Sequence, residues 1–375
     1  MGTFTEEINP TYLEKTVGYM IYYISIAIFC LLSSILSRKI GRKLRTYVWI
    51  SIALFCTVIS MLPKHVILFI IYAFLSGLSF GFGLPPSLGF FADYTTTQSR
   101  GRASAAIFFV TNLILVPLAI TTKEVGEILL SIISFTLLSI TSILFSRFEQ
   151  REQVIERRIS IASIVLSKPF LFYFISSCIF CLIDALETPI LENFLNKSFG
   201  RNFRDIILSI ETIITAFSAV AAGFLVDFYG RKKIIIYGFV ASGIAYATVG
   251  TVSFHVASWY LYAVIDGIAL GFFAVILIFT VWGDLSSPST SEKYYAVGSL
   301  PFFIVGFLLK IVVPYVEVIP VNAAFSFASF FLFLAVLPLM YAPETLPEKE
   351  IRRRELKKYV EKAKKLREKY EKGED

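Results

Sequence analysis

Five ionisable residues stand inside long apolar runs: Asp184, Glu187, Glu211, Asp266 and Lys310. A charge at the centre of a bilayer costs about 2.5–3.5 kcal/mol on insertion scales, so such residues persist where they are paired or used. Asp184 and Glu187 have the i, i+3 spacing that puts them on one helix face. At the helical rise per residue, all five fall at similar depth, in the outer part of the second half of the chain. Four acids and one base cannot all be ionised there cheaply. Lys310 is expected to neutralise one acid and at least one other acid to hold its proton, as a site that binds and releases protons requires. The competing reading is a structural ion pair, with the remaining acids open to external water. Asn112, Asn322, Tyr22, Tyr23, Tyr72, Tyr173, Tyr246 and Tyr262 are further candidates to line a cavity, although aromatics at this density more often serve packing. The first half contains no comparable acid within a run.

The elements that position these residues are membrane spans. In 375 residues, 56% are hydrophobic, 17% are charged and the mean hydropathy is +0.72, well above a water-soluble domain. Eleven runs approach the length that crosses the hydrocarbon layer: 16–36, 47–62, 66–91, 103–120, 126–146, 169–190, 205–227, 234–252, 258–283, 294–317 and 321–341. Lipid offers no partner to bare backbone, so each run is expected to be a helix and the chain an all-α polytopic membrane protein. Residues 1–15 are polar and do not read as a cleavable leader.

Lys and Arg set the orientation. With the loop at Gly230 in the cytoplasm, 28 of the 35 Lys and Arg lie on cytoplasmic segments and 6 on external ones. The positive-inside rule therefore places the C-terminus in the cytoplasm. The formal charge of +7 reads as a topology and membrane-surface signal, with no call for nucleic acid.

Enzyme signatures are missing from the sequence. Neither HExxH nor GxSxG occurs, and Val281-Trp-Gly283-Asp284 lacks the first glycine of the GxGD pattern of intramembrane aspartyl proteases. The pair Cys178 and Cys181 falls mid-helix without a nearby His and reads as packing, so no metal is expected. No glycine-rich phosphate loop or other cofactor motif is present, which argues against nucleotide drive.

The halves repeat. Arg38 to Lys43 sets against Asp227 to Lys232 at an offset of 189, Gly77 and Gly81 against Gly267 and Gly271 at 190, and Asp93 against Asp284 at 191. Near-constant spacing of this kind marks an internal duplication, a recurrent feature of transporter folds.

Gly223-Phe-Leu-Val-Asp227-Phe-Tyr-Gly230-Arg231-Lys232-Lys233 resembles the loop motif of the major facilitator superfamily, GxxxD(R/K)xGR(R/K), and departs from it only at Phe228. The resemblance implies two pseudo-symmetric helical bundles, 1–146 and 169–341, a cytoplasmic linker 147–168 and a charged tail helix within 342–375. Against that superfamily's twelve helices the chain reads as helices two to twelve. Either the true start codon lies upstream of Met1 or the protein is natively shortened.

Within the motif, Gly223 permits close helix approach. Asp227 can accept hydrogen bonds from the amides of a neighbouring helix N-terminus, which the resemblance places near Arg102 to Ala106. Gly230 turns the chain, Arg231 can pair with Asp284, and Lys232 adds to the cations. The first-half copy has Ser34 and Arg38 in place of the glycine and the acid, followed by Gly41, Arg42 and Lys43. An arginine cannot cap a helix N-terminus, so this clasp must be weaker or differently built, with Asp93 the available acid for Arg38 or Arg42. Arg100-Gly101-Arg102 and Pro343-Glu344-Thr345 are short further resemblances, the latter to sugar and metabolite porters.

The function expected is secondary active transport of a small solute across the plasma membrane by a monomer, coupled to protons and carried out by alternating access. The lipid bilayer is the other partner. The alternatives are a transporter-derived membrane sensor and, less favoured, an intramembrane enzyme.

Overall fold

The computed structural model describes residues 12–60, 62, 65–125, 133–140, 159–316, 319–346, 356 and 360. The predicted span 126–146 therefore lies outside the described residues apart from the helical 133–140, as do linker residues 147–158 and nearly all of the tail beyond 346. Among the described residues the regular structure is entirely helical.

The helices are α1 Tyr12–Leu36, α2 Arg42–Ser60, α3 Val66–Tyr94, α4 Arg100–Val125, the short α5 Ile161–Val165, α6 Lys168–Ser198, α7 Arg201–Tyr229, α8 Arg231–Val252 and α9 Val256–Leu285. They continue with α10 Ser291–Gly298, which runs almost straight on into α11 Leu300–Val316, and α12 Val321–Leu334, followed by α13 Val336–Tyr341. Nine segments among the described residues are long and apolar enough to cross a membrane: α1, α2, α3, α6, α7, α8, α9, 291–313 and 321–341. They coincide with nine of the predicted runs, and α4 is a helix over the tenth.

Chain breaks follow local chemistry. Gly200 and Gly230, at φ 90° and 100°, separate α6 from α7 and α7 from α8. Ser160 caps α5 by accepting the Ser163 amide at 3.1 Å. Pro85, Pro86 and Pro189 sit inside α3 and α6, where neighbouring helices can satisfy the freed backbone.

The duplicated glycines perform one packing task twice. A Cβ on Gly77 would meet the Ser25 Cβ at 2.8 Å and one on Gly81 the Ile26 Cα at 2.9 Å, so α3 rests on the backbone of α1. In the second half a Cβ on Gly267 would stand 2.9 Å from the Glu211 carbonyl and one on Gly271 2.7 Å from the Ala219 amide, so α9 rests in the same way on α7. Such small-residue seams suit lipid, where little hydrophobic drive exists between helices.

Successive spans reverse direction, which gathers the α1–α2, α3–α4, α7–α8 and α9–α10 connections on one face, called here the loop face. Across the two halves α4 packs on α7, α10 on α3 and α11 on α1. Within α9 the segment Ala274–Thr280 is a π-helix, whose displaced carbonyls are taken by side chains. Thr280 Oγ1 donates to the Val275 carbonyl at 2.9 Å, Trp282 Nε1 to that of Leu277, and the Tyr295 hydroxyl to that of Phe279.

Candidate functional site

Far from the loop face, α6, α7 and α9 bring their carboxylates together. Glu187 on α6 is 6% exposed and Asp266 on α9 is 2% exposed, while Asp184 and Glu211 are partly buried. Glu187 lies within electrostatic reach of the other three. The α7–α9 seam at Gly267 sets Glu211 beside Asp266. Hydroxyls are the partners of two of these acids: Tyr262 donates to Glu187 Oε1 at 3.1 Å, Tyr246 to Oε2 at 3.4 Å, and Ser242 to Asp266 Oδ1 at 2.6 Å. Tyr246, Tyr262, Trp259 and Phe325 form one aromatic wall behind Glu187, with ring centres 5.1 to 5.9 Å apart. Carboxylates gathered in this way repel one another when all are ionised, and a proton or a cationic solute relieves the repulsion. No three of them lie close enough to hold a metal ion, among the described residues.

Lys310 stands apart from this group. Its ammonium lies over the Tyr19 ring of α1, 4.7 Å from the ring centre, and makes no ion pair with the four acids. The expected neutralisation is thereby corrected. The depth of Lys310 follows from the sequence, but its helix turns that face to α1 and away from α7 and α9. Of the other polar candidates, the Asn112 amide donates to its own helix at the Phe108 carbonyl, 2.8 Å away, and Asn322 accepts from Ser253. The Tyr173 hydroxyl donates to the Pro343 carbonyl at 2.8 Å, at the loop face. Tyr22 and Tyr23 pack edge to face.

The loop face carries two clasps between the halves. In the first, Asp227 at the end of α7 accepts the Gly101 and Arg102 amides at the start of α4, each at 3.0 Å, and the Arg102 Nε at 3.2 Å. Glycine is required on both sides of this crossing. A Cβ on Gly223 would stand 2.7 Å from the Gly101 carbonyl, and one on Gly101 2.8 Å from the Gly223 carbonyl. Arg231 is fully buried, with its Nε 2.8 Å from Asp284 Oδ2, its NH1 2.8 Å from the Val226 carbonyl, and its NH2 on the Thr97 carbonyl. Arg100 from the other half holds the second oxygen of Asp284. Glu344 accepts the Arg231 and Lys232 amides at 2.8 and 3.1 Å, capping α8, and a Cβ on Gly230 would stand 2.8 Å from its Cδ. Lys232 Nζ donates to the Met340 carbonyl at 2.7 Å.

The second clasp is built on Arg42 and Arg45 of α2 and Glu292 of α10. Arg45 grips both oxygens of Glu292, at 2.6 and 2.9 Å, and Arg42 Nε adds a third bond at 2.8 Å. Arg42 also pairs with Asp93 at 2.7 Å, which leaves Arg42 NH2 and Asp93 Oδ1 buried without hydrogen-bond partners. Gly89 gives Glu292 its clearance, since a Cβ there would stand 2.6 Å from the Glu292 Cγ. Of the two routes open to the altered copy, weaker or differently built, the structure takes the second. Arg38 takes no part in it and donates to the Ile159 carbonyl at 3.3 Å, the same carbonyl that accepts Lys293 Nζ at 2.7 Å. Ser34 bonds back to its own helix at the Leu31 carbonyl. Gly41 does not share the positive φ of Gly230, and a Cβ there would meet nothing within 4 Å. Lys43 is exposed on the first turn of α2.

Arg45 and Glu292 were invisible to a reading of the motif. The repeat sets Glu292 against Gly101 at an offset of 191, and that exchange of a glycine for an acid in the matching slot was the available signal. Glu344 was read only as part of a short resemblance, and its capping of α8 could not be foreseen from three residues.

Residues 3–120 and 173–370 match the family profile described as Major Facilitator Superfamily. A search of curated protein sequences found no match. Among solved structures, the crystal structure of the human organic anion transporter MFSD10 (TETRAN) is similar in fold, with a TM-score of 0.67 and 13% sequence identity over 90% of this chain and 87% of that one. The profile match spans most of the sequence and agrees with the loop motif and with the duplicated helices, so this chain belongs to the major facilitator superfamily of membrane transporters.

Proposed function

We propose that the protein is a proton-coupled secondary transporter of a small solute. Two bundles, 1–146 and 169–341, rock about a central site by alternating access, with the loop face and tail in the cytoplasm of a cell bounded by its plasma membrane. The observation that carries this reading is the opposition of the two ends. Asp184, Glu187, Glu211 and Asp266 gather at one depth, Glu187 and Asp266 with hydroxyls as their partners, while cross-half ion pairs hold the loop face shut. In this arrangement the loop face is the closed gate, and the carboxylates are the groups that take up a proton before the gate opens. The linker 147–168 joins the bundles, and the monomer is the working unit.

The test is flux in proteoliposomes under an imposed pH gradient, across a broad panel of metabolites and drugs. Gradient-driven accumulation of at least one solute is expected, with Asp266→Asn flattening its pH dependence. Absence of any flux from the unmodified protein across the panel would remove the reading, and an unchanged pH profile in Asp266→Asn would remove that residue from the coupling group.

A further inference from the structure

The linker ends against two cations that have no acid. Arg38, just past α1, and Lys293, near the start of α10, both donate to the Ile159 carbonyl, at 3.3 and 2.7 Å. One comes from each half of the chain, and the two lie within electrostatic reach of each other. Neither pairs with a carboxylate among the described residues. A neutral carbonyl satisfies their hydrogen bonds and leaves two positive charges to repel.

The residue on the far side of that peptide bond is Ser160. It is exposed, its backbone is extended at φ −81° and ψ 154°, and it caps α5. Ile164, 1% exposed, anchors α5 in the core, and α5 packs on α10, so Ser160 is held at the loop face. In the sequence Ser160 follows Arg157-Arg158-Ile159, and no other Ser or Thr of the chain has arginines both two and three residues before it. Paired arginines ahead of an exposed hydroxyl suit a kinase whose substrate groove is acidic.

We propose that Ser160 is a phosphorylation site for an arginine-directed, ATP-dependent serine kinase, and that its phosphate bridges Arg38 and Lys293 and holds the loop face closed. The Ser160 oxygen bonds the γ-phosphorus of ATP, the bond to the departing ADP oxygen breaks, and the hydroxyl proton passes to the carboxylate base of the kinase. The product carries a charge of about −1.5 to −2 and three acceptor oxygens, a match for a guanidinium and an ammonium that already converge on the neighbouring peptide. The carbonyl orders these two side chains without neutralising them, whereas a phosphate does both and ties the first half to the second. The inference rests on the transport reading for one point, the cytoplasmic placement of the loop face, where ATP is at hand.

The experiment incubates the full chain in lipid nanodiscs with Mg-ATP and the catalytic subunit of the cyclic-AMP-dependent kinase, and locates the phosphate by peptide mass spectrometry. Phosphate on Ser160 is expected, and none at that position in Ser160→Asn, which keeps the cap and removes the acceptor. Phosphorylation should slow thiol labelling of a cysteine placed at Ser291 about threefold at low salt, mid-range for an ion pair with an exposed partner. Arg38 is exposed, and Arg38→Gln should accept phosphate equally and lose most of that slowing. Absence of phosphate at Ser160, labelling that is unchanged or faster after phosphorylation, or full slowing in Arg38→Gln would each overturn the proposal. Incorporation into the unmodified protein is decisive even if a variant misfolds. Neither readout requires flux: solute flux without phosphate at Ser160 would sink this site and leave the transporter reading in place, and phosphorylation with slowed labelling but no flux would do the reverse.

Discussion

The two clasps occupy equivalent places in the duplicated halves and are built with opposite signs. At one, an acid at the end of α7 meets amides and an arginine at the start of α4. At the other, arginines of α2 meet an acid at the start of α10. The first is limited by shape, since two glycines must face each other before Asp227 can reach its donors. The second depends on charge, with two buried guanidiniums converging on one carboxylate. A duplicated contact between the halves therefore persists while exchanging its chemistry, provided both of its sides change together.

The largest effect separating the two belongs to Glu292→Ala, which leaves Arg42 and Arg45 buried without their acid. Breaking a buried pair from one side costs about 3–5 kcal/mol, and the result should be a marked drop in unfolding temperature and an opened loop face, read by accessibility of a cysteine placed at Ser291. Unchanged accessibility would show that charge does not hold this clasp. Asp227→Asn keeps one acceptor and loses its charge, for about 1.5–3 kcal/mol. It should slow transport while leaving the amount of protein in the membrane unchanged, and equal transport by that variant would reduce the motif to a topology signal.

The loop glycines sharpen the contrast. Gly230→Ala meets a backbone region close to glycine-only and the Glu344 carboxylate, for about 1–3 kcal/mol, whereas Gly41→Ala should change stability by less than about 0.5 kcal/mol. Similar losses in thermal unfolding at both positions would erase the distinction. A smaller loss than at Gly230 is expected of Glu344→Gln, which removes a negative charge from the N-terminus of α8, for about 0.3–1 kcal/mol, best resolved by unfolding at low salt. A larger loss would mean that the segment 343–346 is a principal part of the clasp.

Periodicity and hydropathy made the helices legible, because lipid forces any long apolar run to satisfy its own backbone. The Asp227 contact with the start of α4 and the pairing of Arg231 with Asp284 were legible as well, since both lie in a local pattern with a fixed geometry. Depth along a helix could be counted, and it grouped the four acids. Azimuth could not, so Lys310 was assigned to the wrong neighbours. Arg45 and Glu292 meet across 247 residues of sequence, and no local pattern announces a contact of that span.

The inverted clasps also decide which halves can associate. If two copies of the second half were paired, the slot that Gly101 fills would hold Glu292, and Asp227 would confront a carboxylate. If two copies of the first half were paired, Arg42 and Arg45 would confront Arg100 and Arg102. Like charges set against each other in an interface cost several kcal/mol, so each half rejects its own kind and accepts the other. The sign change that looks like decay of a motif therefore acts as a key, matching each half to the other half of the same chain.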